Sequence, residues 1–243
     1  MNFLDGKILK NKNCVIIGAS RGIGKQLSEI LASYGCNLFL ISKNEENLIK
    51  ISDELIKNYN CKISYLAVDL SFDTNFSHAL SKIKNFFEHI DILINSAAIF
   101  EINSITDSTI ESFDRCYTLN VKAPFYFSKH FVDGMIKQNW GRIINIGSSS
   151  SYNGFSNSSI YCTTKHALLG FSRSLHEEVK HYNVRCYCIS PSSTKTEMGK
   201  KSSNQNFETF IEPHEIAESI IFAISYNGNM VMNEFRLNRM KFE

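Results

Sequence analysis

The sequence predicts the α/β class: one parallel sheet with helices packed on both of its faces. Short apolar, β-rich runs alternate along the chain with longer segments of helical period, the pattern of repeated βαβ units. The strand candidates are also nearly unbroken apolar runs, such as Val15-Ile16-Ile17 and Ile92-Leu93-Ile94, which suits strands buried on both sides. A glycine-rich turn lies directly between the first strand and the first helix, where such folds bind phosphates.

In chain order the strands fall at Cys14–Ile17, Leu38–Ile41, Ile63–Val68, Ile92–Ile94, Ile143–Ile146, Val184–Ile189 and Met230–Leu237. Helical periodicity fills the intervals over Ile23–Ser33, Glu45–Asn58, Asn75–Glu88, Thr109–Lys137, Tyr161–His181 and His214–Ser225. Three prolines punctuate this order. Pro124 falls inside a helical pattern and predicts a kink or a late helix start, Pro191 follows a strand, and Pro213 opens the last helix. The polar segment 192–212 has little periodicity and is the candidate for a substrate lid.

A chain of 243 residues is long enough for one large core, so a single domain over 1–243 is expected. Hydrophobic residues at 43% and charged residues at 21% exclude a disordered or fibrous class. A net charge of +2, with no basic block, gives no footing for nucleic acid or an anionic membrane. The seven cysteines form no CxxC pair and read as small buried hydrophobes, supporting neither a disulfide framework nor a metal site. No apolar run approaches the ~20 residues of a membrane span, and a cytoplasmic location is the expectation.

The turn reads Gly18-Ala19-Ser20-Arg21-Gly22-Ile23-Gly24. Gly18 permits a tight bend, while Gly22 and Gly24 let backbone approach a pyrophosphate and let helix pack on sheet. The helix that follows offers free N–H groups and a positive dipole to the phosphates. Further on, Tyr161 and Lys165 stand at i and i+4 and share a helix face. A free phenol titrates near ~10, and an adjacent ammonium is expected to lower it toward working pH. Tyr161 could then exchange a proton with a carbonyl or alcohol oxygen.

The spacing GxxxGIG, followed by Tyr161-Cys162-Thr163-Thr164-Lys165, resembles the short-chain dehydrogenase/reductase family, and the likeness runs from about Lys12 to Leu237. It implies a single-domain Rossmann fold with a doubly wound parallel sheet of about seven strands. It also implies a catalytic group of Ser148, Tyr161 and Lys165, supported by Asn120 in Leu119-Asn120-Val121. Ser148 lies thirteen residues before the tyrosine; Ser149, Ser150 and Ser151 follow it, and the choice among the four rests on that spacing. Ser148 would hold the substrate oxygen, Lys165 would also hold the nicotinamide ribose, and Asn120 would complete a proton relay through water.

The cofactor set implied is Gly18, Ser20, Arg21, Gly22, Ile23, Gly24, Lys43, Asp69, Leu70, Asn95 and Thr196, together with Tyr161 and Lys165. An acidic residue at the end of the second strand would favour NAD. Here Ser42 takes that place and Lys43 follows, with Arg21 a second cation, so NADP(H) is favoured over NAD(H). Departures from the family pattern are Ile17, Ser96, Ala98, Ser192 and Thr194. The substrate expected is a small carbonyl compound or alcohol, such as a ketone, aldehyde or 3-oxo or 3-hydroxy acid. The runner-up is a 3-oxoacyl-[acyl-carrier-protein] reductase, against which stand the short lid and a C-terminus without a glycine-rich tail. A non-catalytic NADP(H)-binding sensor or scaffold is the alternative from another class. Tyr152, Phe155 and Phe207 are candidate pocket aromatics, and a homodimer or homotetramer is expected by analogy.

Overall fold

In the computed structural model, residues 6–201 and 205–240 are described. Seven strands form one parallel sheet: β1 (Asn13–Ile17), β2 (Asn37–Ser42), β3 (Ile63–Ala67), β4 (Ile92–Asn95), β5 (Gly141–Ile146), β6 (Val184–Pro191) and β7 (Glu234–Leu237). Their spatial order is β3-β2-β1-β4-β5-β6-β7. The connections wind one way from β1 to β3 and the other way from β4 to β7, which is the doubly wound arrangement expected. The helices are α1 (Gly22–Ser33), α2 (Glu45–Asn58), α3 (Phe76–Phe86), α4 (Ile110–Tyr117), α5 (Ala123–Lys137), α6 (Ser159–Val179) and α7 (Pro213–Ser225).

Alternation along each strand divides the core in two. Cys14, Ile16, Leu38 and Leu40 pack with α1, α2 and α7, while Val15, Ile17, Phe39 and Ile41 pack with α3, α5 and α6. Strands β1, β2, β4, β5 and β6 are buried along almost their whole length, whereas edge strand β3 is half-buried or exposed. Six of the seven cysteines are buried in this interior and Cys61 is half-buried, as their apolar settings suggested. Among the described residues no helix is long and apolar enough to cross a membrane.

Two elements differ from the sequence reading. The expected helix Thr109–Lys137 is α4 and α5 joined by a π-turn over Thr118–Lys122, with Pro124 in the first turn of α5. Pro124 has no N–H to give to the carbonyl four residues back, that of Asn120, so a regular α-turn cannot form there. The expected strand Met230–Leu237 is cut to β7. Arg185 captures the carbonyls of Tyr226, Gly228 and Met230, pinning the preceding loop instead of letting it pair with β6. Of the candidate lid 192–212, residues 202–204 lie outside the described residues; the rest contains short 3-10 turns at Gly199–Lys201 and Phe207–Thr209.

Gly24 fixes how closely α1 lies on the sheet, because a Cβ there would collide with the Gly18 carbonyl oxygen. Gly24→Ala is expected to destabilise the fold by about 1–3 kcal/mol, the usual cost of overpacking. Urea denaturation measures it, and an unchanged midpoint would show that the helix can move away freely.

Candidate active site

The site is built where the carboxyl ends of β1 and β4 meet the start of α1. Gly18 adopts φ +93°, and a side chain on it would lie 2.5 Å from the Ala97 backbone nitrogen. Its N–H bonds the Ile41 carbonyl at 2.7 Å, so the turn is tied to β2 as well. Arg21, the residue before α1, makes no side-chain cap. The first-turn N–H groups of a twelve-residue helix therefore face outward without a side-chain acceptor. Ser20 and Ser42 share a hydroxyl hydrogen bond of 2.6 Å across the mouth of this turn.

A cavity of about 840 Å³ opens over these strand ends. It brings together Gly18, Ser20, Arg21, Gly22, Ile23, Lys43, Asp69, Leu70, Ser148, Tyr161, Lys165 and Thr196 from the sequence-derived set. Three members of that set do not line it. Gly24 packs against Gly18 behind the turn. Asn95 is buried within the sheet, donating to Asn145 Oδ1 at 2.7 Å. Asn120 is buried beneath the wall.

At one end of the cavity Asp69 is held below the usual carboxylate range. Burial pushes it up, but hydrogen bonds from Ser71 and the charges of Lys43 and Arg115 together outweigh that. At the other end Ser148 closes β5, and its Oγ accepts the Ser150 N–H at 3.1 Å. Ser151 turns inward and accepts the Ser148 N–H at 3.2 Å, so the serine run is a capped turn that aims Ser148 at Tyr161.

Tyr161 is almost wholly buried on α6, and burial pushes its phenol up to about 12 against an opposing hydrogen bond from Ser148. Lys165 is also buried, which lowers its ammonium to about 8. Its Nζ donates to the Ile146 carbonyl at 2.6 Å and lies 5.6 Å from the Tyr161 ring centroid. The expected lowering of the phenol by Lys165 is thus absent from this arrangement, in which desolvation dominates. The two groups are each driven toward neutrality by the same dry environment.

Asn120 sits in the π-turn. Its Oδ1 accepts the Ile99 N–H at 2.8 Å, and its Nδ2 donates to the Ile99 carbonyl at 3.0 Å and Thr164 Oγ1 at 3.1 Å. The side chain is thereby consumed in stapling the loop after β4 to α6. The backbone carbonyl that Pro124 cannot bond belongs to this same residue.

The family model described as short chain dehydrogenase matches residues 12–206. The chain belongs to the short-chain dehydrogenase family. An uncharacterised oxidoreductase from Thermotoga maritima is 31% identical over 238 residues, covering 92% of this chain and 91% of that protein. Carbonyl reductase family member 4 from Xenopus laevis is 30% identical, covering 88% and 91%. The crystal structure of L-sorbose reductase from Gluconobacter frateurii, complexed with NADPH and L-sorbose, superposes with a TM-score of 0.85 at 24% identity, covering 94% of this chain and 95% of that one.

Several cavity residues carry no signal in the sequence. Phe100 packs on the Tyr161 ring with centroids 4.7 Å apart, and Ile102, Met198, Lys201 and Arg239 complete that end. They come from loops, where no periodicity marks them. Of the three aromatics singled out, Phe155 lines the cavity. Tyr152 instead donates to Glu234 at 2.6 Å under the Arg236 guanidinium, and Phe207 packs at a tilt against Phe210.

The Lys165 shift has a stability consequence of definite sign. A folded-state pKa of about 8 against an ordinary 10.5 means the stabilisation is complete above pH 10.5 and lost as pH falls through 8. Relative to Lys165→Met, the parent protein is expected to gain on the order of 3 kcal/mol between pH 8 and 10.5. Denaturant titrations of both proteins at several pH values measure this. A pH-independent difference would mean that Lys165 titrates normally.

Proposed function

We propose that the chain is an NADP-dependent oxidoreductase that moves a hydride between the nicotinamide and the carbon of a small carbonyl compound or secondary alcohol. The observation that carries this is the convergence, in one cavity, of an uncapped helix start with two cations at one end and the Ser148–Tyr161–Lys165 group at the other. The volume is within the range that holds a cofactor and a small substrate. The glycine turn fits a pyrophosphate, and Arg21 and Lys43, with no acidic side chain at Ser42, fit a 2′-phosphate. Relatives and structural neighbours that act on carbonyls or hold NADPH support the reading.

When bound, the cofactor supplies or receives the hydride. In reduction, Ser148 Oγ donates a hydrogen bond to the substrate oxygen and Tyr161 Oη delivers a proton to it. The C=O π bond breaks as a C–H and an O–H bond form. The high pKa of the buried phenol keeps the proton on Tyr161 until negative charge develops on that oxygen. Lys165, on the inner side of Tyr161, offsets the phenolate left behind. Asn120 positions the wall by stapling Ile99 to α6, and it completes the water relay that re-protonates the site.

Tyr161→Phe is expected to lower kcat for NADPH-dependent carbonyl reduction by about 10²–10⁴-fold while NADPH still binds. Turnover surviving that change would remove Tyr161 as the proton donor, and binding without turnover in the parent protein would favour a sensor. Lys43→Ala is expected to raise KM for NADPH by about tenfold and to spare NADH, the loss of one charge-assisted contact. A parent protein that prefers NADH would contradict the cofactor assignment. A panel of ketones, aldehydes, oxo acids and acyl thioesters locates the substrate, and activity confined to thioesters would point to an acyl-carrier reductase.

A further inference from the structure

At one end of the cavity a carboxylate stands near the cation that the reading above gives to a 2′-phosphate. Asp69 is the one acidic side chain in the lining among the described residues, and Lys43 and Arg21 line the same cavity. Lys43 is close enough to feel the Asp69 charge but forms no ion pair with it. A carboxylate in that position draws on the cation and repels a phosphate brought to it. Left alone, Asp69 would work against the cofactor that Ser42 and Lys43 favour.

Its charge is met from outside the cavity. Arg115 stands on α4 and is not part of the lining. Its Nη2 lies 3.9 Å from Asp69 Oδ2 and donates to Ser71 Oγ at 3.3 Å, while its Cζ lies 5.2 Å from the Phe72 ring. The Ser71 N–H in turn donates to Asp69 Oδ1 at 2.9 Å, and Asn75 Nδ2 donates to the Asp69 carbonyl at 2.9 Å. One carboxylate oxygen is thus turned to the Ser71 backbone and the other toward Arg115. Asp73, the next acidic side chain along this loop, is paired with Lys122 instead. The Arg115 and Asp69 side chains are 49% and 31% exposed, so their pairing adds little to stability. What it changes is the electrostatic potential at the cavity wall.

We propose that Arg115 is a specificity-determining residue for NADP(H) that acts through Asp69, offsetting its carboxylate from outside the cavity and leaving Lys43 and Arg21 for the 2′-phosphate. This rests on the NADP reading above and deepens it. Arg115 is a positioning residue, since it touches Asp69 and Ser71 and makes no contact with the cofactor. NAD(H) carries a neutral 2′-hydroxyl at that place and gains little from the offset charge.

Calorimetric titration with NADP⁺ and with NAD⁺ tests this without turnover, by giving a Kd for each. Arg115→Gln is expected to weaken NADP⁺ by about three- to tenfold and NAD⁺ by less than about twofold, the scale of one partly screened charge. Arg115→Lys, which keeps the charge, is expected to restore most of the NADP⁺ affinity. In an Asp69→Asn background Arg115→Gln is expected to leave the NADP⁺-to-NAD⁺ ratio unchanged, because the charge to be offset is gone. Should Asp69→Asn bind neither cofactor, the Arg115→Gln and Arg115→Lys pair decides alone. A ratio that stands in Arg115→Gln overturns the proposal. So does equal weakening of both cofactors, the outcome if Arg115 serves only to pack on Phe72. A ratio that falls as far in the Asp69→Asn background also overturns it, because Arg115 would then act on the phosphate and not through Asp69. A parent protein that binds NAD⁺ more tightly than NADP⁺ would instead contradict the cofactor reading, and the change of ratio in Arg115→Gln would still decide for or against Arg115.

Discussion

Strands β1 and β4 lie side by side in the sheet, yet the chain leaves their carboxyl ends in opposite directions, toward β2 on one side and β5 on the other. No crossover helix can cover both departures, so a crevice opens over the two strand ends. Most residues assigned to function line that crevice, while Gly24, Asn95 and Asn120 pack behind its walls. The Gly18 turn leaves β1, the Ala97 loop leaves β4, and the Ser148 turn leaves β5. The close contacts at Gly18 and Gly24 are what keep the crevice narrow enough for helix α1 to present its first N–H groups to it.

Burial then decides the chemistry of the reacting end. Tyr161 and Lys165 are placed by one helix on the inner side of the crevice, and desolvation moves the phenol up to about 12 and the ammonium down to about 8. An arrangement that resists charge in the resting protein suits the proposed step, in which charge appears only as a substrate oxygen accepts a proton. The same logic explains why Lys165 is fixed by the Ile146 carbonyl and not by a carboxylate, since an acidic partner would lock it as a spectator ion pair.

Much of this was legible in the sequence, for reasons that are specific. The apolar runs of β1, β4 and β5 announce themselves because both faces are buried, and the α6 residues Tyr161 and Lys165 share a face by helix geometry alone. Ser148 is singled out among four serines by its spacing from Tyr161, and in the fold it opens a capped turn in which Ser151 points inward. Asn120 was named as a site residue, but its work in stapling Ile99 depends on a π-turn that no periodicity reveals; only Pro124 hinted at it. Phe100, Met198 and Arg239 were invisible because loop residues are brought to a cavity by the fold and not by their neighbours in sequence. Tyr152 and Phe207 show the converse: an aromatic near a motif is as readily absorbed by Glu234 or Phe210 as by a pocket.

A crystal structure of the protein with NADP⁺ tests most directly whether this crevice is one cofactor site read from end to end. The adenosine is expected between Asp69, Leu70 and Lys43, the pyrophosphate at the start of α1, and the nicotinamide C4 facing Tyr161 Oη. Electron density for the dinucleotide in the reverse direction, or at any place other than this crevice, would contradict the assignment.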